Sequence, residues 1–376
     1  MQNKFPYGIE SFTRNQMLNF ELNRWYGFGL GRAEDIHEAA RDIRKPEDSK
    51  MAFWDQAKKA EREGRMANAA IYYHAAEFYI PREDPDKAVL YDKFLETFYK
   101  GFADEQIENF QVPYENSFLY GFRLLPESKT PRGTILFHGG FDSLLEEMYY
   151  ITDHFRQSGY EVIAFEGPGQ GYTLRKYGLP LTHDWEKPVG AVLDHFECED
   201  VTIIGASLGG YWCLRAAAFE PRIKRVIAYG LVYDFMALPN DLIRKMTGWF
   251  MSKPKLMESS VKFKMKVDSH HRWITNHWAF ITHSQSVGEV PAHMLSMNQE
   301  HMHPERITQD VLLLTGEEDE FFPAKLLEKQ KANLKNAKSV TTRLFTREEN
   351  ASHHCQIGNV QLALNTMVSW LNNLER

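Results

Sequence analysis

Apolar residues follow two regimes along this chain. Up to about residue 105 they recur at helical spacing: FWDQAKKAEREGRMANAAIYYHAAEFYI (53–80) sets apolar and alanine positions among Ala, Lys, Glu and Arg, all strong helix formers. Gly64 interrupts this run and reads as a helix–helix junction, with no second copy at a fixed period that would make a solenoid. From about residue 108 the period changes. NFQVPYENSFLYGFRLLPE places Glu115 and Asn116 between two apolar stretches, which predicts an antiparallel hairpin closed by Pro126. Short β-rich runs then recur as TILFH (134–138), EVIAF (161–165), VTIIG (201–205), RVIAYG (225–230), VLLLTG (311–316) and SVTTRLF (339–345). Most are continuous rather than alternating, as in strands buried on both faces of a parallel sheet. Helix-like stretches such as SLLEEMYYITDHFRQSG and LGGYWCLRAAAFE separate them, and this alternation predicts an α/β layered fold.

The alternation fails once, between Gly230 and Val311, where a helical composition replaces it. The expected organisation is therefore an N-terminal helical cap region (1–107), a core of 108–234 and 306–376, and a helical insertion (235–305) that completes the cap. Within the insertion lie Met236, Met246, Met251, Met257, Met265, Met294, Met297 and Met302, beside Trp249, Trp273 and Trp278. Such a stretch suits either an adaptable apolar pocket or a small helical core.

Composition narrows the classes. The chain of 376 residues is 43% hydrophobic and 13% aromatic, which excludes general disorder, and 44 basic against 51 acidic side chains give a net charge of −7 that offers nothing to nucleic acid. No apolar run approaches the roughly 18 residues of a membrane span. MQNKFPYGIESFTRNQ has no apolar signal region, and three cysteines (Cys198, Cys213, Cys355) are too few for a disulfide framework, so a cytoplasmic protein is expected.

The chemistry centres on Gly205-Ala206-Ser207-Leu208-Gly209, a G-x-S-x-G placed directly after an apolar strand and before a helix. Small neighbours let the helix pass close behind a serine on a strained turn, and the helix N-terminus directs free N–H groups and positive dipole toward its oxygen. A serine alcohol needs a base held by an acid. EEDEFFP after VLLLTG offers Glu317, Glu318, Asp319 and Glu320; Asp319 is favoured because its short carboxylate precedes a tight turn marked by Pro323. TREENASHHCQ after the last strand offers His353 and His354, which as neighbours cannot both face the serine. Such a base must be neutral, so activity should rise with pH near about 6.5 if the group is unperturbed. His138-Gly139-Gly140-Phe141 ends another strand and matches an oxyanion loop, its Gly140 and Phe141 region acting with the N–H of Leu208. EGPGQG (166–171) lacks a following Lys-Ser/Thr and reads as a tight loop near the site mouth rather than a phosphate cradle.

As a set, HGGFDSLLEEMYY, FEGPGQGY, GASLGGYW, TGEEDEFFP and SHHCQIGN behind an N-terminal helical region resemble the α/β-hydrolase group that includes 2,6-dihydroxypseudooxynicotine hydrolase, the fungal Yg1-type polyketide-shortening hydrolases and the fermentation-respiration switch protein. The resemblance covers most of the chain from about residue 50. It implies an α/β-hydrolase fold, a Ser-Asp-His triad, a helical cap, a homodimer, no cofactor, and in several members cleavage of a carbon–carbon bond next to a ketone. It favours His354, before Cys355-Gln356, over His353, and it implies an accessory acid after the strand that follows the nucleophile, whose nearest counterpart is Asp234 in GLVYDF.

The leading expectation is thus a serine hydrolase of Ser207, His354 and Asp319 acting on a small aromatic or polyketide-like carbonyl compound. Asp234, His138 and His353 would supply spare acid or base, and Trp273 and Trp278 would contact substrate. The alternatives are a general esterase or peptidase and a non-catalytic ligand-binding relative. The crowd of histidines from His270 to His303 lacks zinc-binding spacing and predicts no metal.

Overall fold

The computed structural model describes residues 5–230, 232–235 and 253–375. Met236, Met246, Met251 and Trp249 of the Met-rich stretch lie outside the described residues.

Five helices come first: α1 (Gln16–Gly27), α2 (Ala33–Ala40), α3 (Ser49–Arg62), α4 (Met66–Phe78) and α5 (Asp86–Gly101). The α3–α4 junction is made at Gly64, whose φ of +75° lies in the left-handed region that glycine adopts without a steric cost. Asn15 caps α1 by accepting the Leu18 N–H. Asn19 and Asn23 on the same helix bond the backbone of Phe12 and Glu10, which fixes the preceding loop along α1.

The hairpin β1 (Glu108–Tyr114) and β2 (Ser117–Leu124) turns at Glu115 and Asn116. It opens an eight-stranded sheet completed by β3 (Thr134–His138), β4 (Glu161–Glu166), β5 (Val201–Ala206), β6 (Ile223–Tyr229), β7 (Asp310–Gly316) and β8 (Ser339–Phe345). The spatial order is β1-β2-β4-β3-β5-β6-β7-β8, antiparallel as far as β4 and parallel beyond it. The continuous apolar runs bury both faces with the two-residue period of a strand. Ile135, Phe137, Ile204, Ile227 and Leu312 join one core with the N-terminal helices and the last helix, Val360–Leu374. Leu136, Ile203, Val226 and Leu313 join a second core with α6 (Glu186–His195) and α7 (Gly209–Ala217). The described part of the insertion folds into helices Pro254–Val267, Ser269–Ile281, Val290–Ser296 and Gln299–Met302. Among the described residues no helix is long and apolar enough to cross a membrane.

Candidate active site

Ser207 sits at the turn between β5 and α7 with a φ of 57°, a strained conformation for a side chain of its kind. Its N–H donates to Tyr229 O on β6 at 2.8 Å, which holds the turn to the neighbouring strand. The small neighbours are a steric requirement: a Cβ on Gly205 would stand 2.0 Å from the Gly209 carbonyl oxygen. His354 Nε2 lies 2.8 Å from Ser207 Oγ, and His354 Nδ1 lies 2.6 Å from Asp319 Oδ2. The other oxygen of Asp319 accepts the N–H groups of Phe321 and Phe322, both at 2.9 Å, so the tight turn expected before Pro323 is what aims the carboxylate. Tyr229 Oη donates to Cys355 O at 2.6 Å and pins the chain that carries His354. Burial disfavours the imidazolium of His354, yet the adjacent Asp319 charge and hydrogen bond, with a contribution from Cys355, outweigh it and hold the pKa well above the ordinary histidine value.

The remaining acids of EEDEFFP have other partners. Glu317 accepts the Arg347 N–H, Glu318 bonds Ser352, and Glu320 accepts from His353 Nδ1 at 2.5 Å and from the His354 backbone at 3.0 Å. The bond to Glu320 raises the His353 pKa and turns its ring away from Ser207. The structure therefore brings His354, not His353, to the serine, and His353 does not line the site cavity.

The loop after β3 approaches the turn so closely that a Cβ on Gly140 would lie 2.8 Å from the Leu208 nitrogen. The Gly140 N–H is already committed to Ser143 Oγ at 2.9 Å, whereas the N–H groups of Phe141 and Leu208 have no protein acceptor among the described residues. These two are free to meet a developing oxyanion; Gly140 contributes space rather than a donor. Two residues that the sequence reading passed over brace this loop. Gln170, from EGPGQG, donates to the carbonyls of Gly139 and Gly140 at 2.8 and 3.0 Å. His277 Nε2 donates to the Phe141 carbonyl at 3.1 Å, and burial pushes its pKa down to about 4, which keeps the ring neutral.

Two expected accessory residues lie elsewhere. His138 is fully buried behind the serine turn against Phe165 and Trp185, donates to Gly139 O, and is driven by burial to a pKa of about 4; it packs the scaffold and does not line the cavity. Asp234 accepts the Gln299 N–H at 3.3 Å, at the start of a helix, and likewise stands outside the cavity lining, whereas its neighbours Val232 and Phe235 are part of it.

The cavity over Ser207 encloses about 180 Å³. Trp273 and Trp278 of the helix Ser269–Ile281 form one wall with Phe141, Phe235 and Met294. Trp273 stacks on Phe78 at 4.7 Å and its indole donates to the Phe78 carbonyl, so the insertion and α4 meet directly above the site. Met257, Met297 and Met302 are buried, so the methionine stretch supplies both a pocket residue and a helical core. A second wall comes from α1: Glu21 and Arg24 face the cavity with Asp142 and Ser143 of the β3 loop. No motif marked Glu21 and Arg24, although two charges inside the apolar register of LNFELNRW are a signal that something pairs with them. Among the described residues no group of three His, Cys, Asp or Glu side chains could hold a metal ion.

Known proteins resemble the chain in sequence and in fold. The family model described as alpha/beta hydrolase fold matches residues 135–359. The chain is 32% identical over 335 residues to the alpha/beta hydrolase psoB of Aspergillus fumigatus, covering 75% of this chain and 74% of that one. It is 31% identical over 277 residues to the 20-hydroxy-prefusarin hydrolase FUS2 of Gibberella moniliformis, covering 63% and 65%. Among solved structures, 2,6-dihydroxy-pseudo-oxynicotine hydrolase superposes with a TM-score of 0.67 at 19% identity, over 93% of this chain and 94% of that one.

Proposed function

The chain belongs to the α/β-hydrolase family, and from that premise we propose that it is a serine hydrolase of small aromatic or polyketide-like carbonyl compounds. One observation carries the reading: an unbroken run of contacts from Asp319 through His354 to Ser207 ends on the floor of an aromatic cavity. Ser207 Oγ attacks the substrate carbonyl while His354 Nε2 takes its proton. Asp319 orients the imidazole and favours its charged form. The carbonyl oxygen becomes an alkoxide held by the N–H groups of Phe141 and Leu208. Collapse breaks the bond to the leaving group, which takes the proton from His354, and water then cleaves the acyl-serine by the same steps in reverse order.

The aromatic lining supports a flat apolar substrate, and the kinship with a fungal hydrolase named for 20-hydroxy-prefusarin supports the polyketide-like class. Cleavage of a carbon–carbon bond is within reach of this machinery only where the departing carbanion is delocalised next to a ketone or phenol. Ester hydrolysis has no such requirement. Asp234, which accepts a backbone N–H away from the cavity lining, is given no part in either reaction.

Labelling with a fluorophosphonate probe tests the nucleophile: the wild-type chain should be labelled and Ser207→Ala should not. An aryl ester and a β-diketone of similar shape then distinguish the bond. Turnover of the ester alone would make the protein an esterase, and a wild-type chain that neither reacts with the probe nor turns over either compound would end the proposal.

A further inference from the structure

The acyl-transfer steps leave the α1 wall of the cavity unused. Glu21 and Arg24 are three residues apart on α1 and therefore share one face of the helix. That face is buried, with only 3% and 6% of the two residues exposed. Arg24 donates through Nη1 to Asp142 Oδ1 at 2.9 Å and to Glu21 Oε2 at 3.1 Å, and through Nη2 to Glu147 Oε1 at 2.5 Å. Three carboxyl groups thus draw on one guanidinium, and Glu21 has the longest of the contacts. Its second oxygen, Oε1, makes no hydrogen bond among the described residues, although the side chain lines the cavity and is almost removed from bulk water. Burial pushes the Glu21 carboxyl up to about 8 against the pull of Arg24, with Asp142 and Glu147 adding repulsion. Near neutral pH the group holds a proton and can donate as well as accept.

Resting on the hydrolase reading of the cavity, we propose that Glu21, positioned by Arg24, is a substrate-contacting residue whose outward oxygen binds a carbonyl, enol or phenol oxygen of the substrate. The site then selects flat apolar molecules that bear an oxygen beyond the carbonyl under attack. A molecule of the same shape that lacks this second oxygen covers the carboxyl without satisfying it, and the loss of a buried hydrogen bond is discriminated by about tenfold or more. The contacts of Asp142 and Glu147 to Arg24 hold that guanidinium in place beside Glu21.

Two probes of equal shape measure the selection. Benzoylacetone carries two oxygens and butyrophenone, on the same carbon skeleton, only the one that the Phe141 and Leu208 N–H groups would take, and each is titrated for protection of Ser207 against fluorophosphonate labelling. The wild-type chain should be protected by benzoylacetone at concentrations at least about tenfold lower than by butyrophenone. Glu21→Met should bring the two within about twofold, and Glu21→Gln, which keeps a donor and an acceptor, should retain most of the preference. Equal protection of the wild type by both probes, or a preference that survives Glu21→Met, overturns the proposal. Difference infrared spectroscopy in the Ser207→Ala background supplies an arm that needs neither turnover nor labelling. One protonated-carboxyl component should be lost in Glu21→Gln, leaving those of the buried Glu146 and Glu166, whose pKa values burial also raises, and that component should move on addition of benzoylacetone; a Glu21 component that does not move overturns the proposal even if Glu21→Met fails to fold. A wild-type chain that resists the fluorophosphonate while this band still responds would sink the hydrolase reading and leave Glu21 standing as a ligand contact.

Discussion

Two buried charge clusters border the same cavity and are built on opposite ratios. On the sheet side one carboxylate, Asp319, meets one imidazole, His354, and the imidazole meets one hydroxyl. On the helix side three carboxyls, Glu21, Asp142 and Glu147, crowd round the guanidinium of Arg24, and Glu147 also meets the buried His74 Nε2 at 3.5 Å. The one-to-one arrangement raises the proton affinity of the base. The crowded arrangement does not neutralise every acid. Glu147, between Arg24 and His74, is held down at about 2 despite its burial, and Glu21 is left with a proton. Pairing makes an acceptor, and crowding makes a donor.

The largest test of this contrast is the removal of the hydroxyl. Ser207→Ala should lower kcat on an aryl ester by about 10⁴-fold or more while the thermal unfolding midpoint stays near that of the wild type. Equal turnover by the variant would remove the sheet-side cluster from the chemistry. Next comes its acid. Asp319→Asn should lower kcat by about 10⁴-fold and should also move the pH profile. As a base, His354 works only when neutral, so kcat/KM of the wild type should rise with pH through a midpoint above the ordinary histidine value of about 6.5, and the midpoint should fall when the Asp319 charge is gone. The same raised pKa links to stability: the contribution of the Asp319–His354 pair is complete below about 6.5 and is lost as pH rises through the folded-state value. A profile centred at or below 6.5 in the wild type would contradict the upward shift that the buried pair produces.

Arg24→Met probes the other cluster and should cost about 3–5 kcal/mol in urea unfolding, since it leaves carboxyls buried without their cation. A loss under about 1 kcal/mol would mean that the helix-side acids take up protons in place of the cation. The smallest effect belongs to the neighbouring histidine. His353→Ala breaks a partly exposed pair with Glu320 and should change kcat/KM by less than about threefold. A loss as deep as that of His354→Ala would show that the two rings exchange places in solution.

The fold was legible wherever the hydrophobic period was unambiguous. The six core strands lie within two residues of the runs read from the sequence, because a strand buried on both faces has little freedom to be anything else. The hairpin turned where Glu115 and Asn116 interrupt the apolar stretches. The positions of Ser207, Asp319 and His354 were legible for a different reason: each follows a strand end, so chain topology alone carries them together. Where topology gave no guide, proximity in sequence misled. His138 opens the oxyanion loop yet points behind it, because the strand period sends its side chain to the face packed on Trp185. Asp234 follows β6 but closes a helix N-terminus instead of facing the cavity. Glu21 and Arg24 could not be placed at all, since their partners Asp142 and Glu147 are more than a hundred residues away and no local pattern records that distance.

That distance bears on how the protein comes into being. During synthesis α1 emerges long before the strand end that carries Asp319 and the loop that carries His354, a delay on the order of tens of seconds at ordinary ribosomal rates. Over that interval α1 carries two charges destined for the interior. Because Glu21 and Arg24 pair within a single helical turn, the helix brings its own counter-ion and can wait in water without a partner. The cavity wall forms only when α4 and the insertion helix meet, Phe78 joining Trp273 across 195 residues. Contacts of such long sequence separation form late. Ser207, Asp319 and His354 therefore come together only after the chain has been made past residue 354, when the wall above them can already be in place.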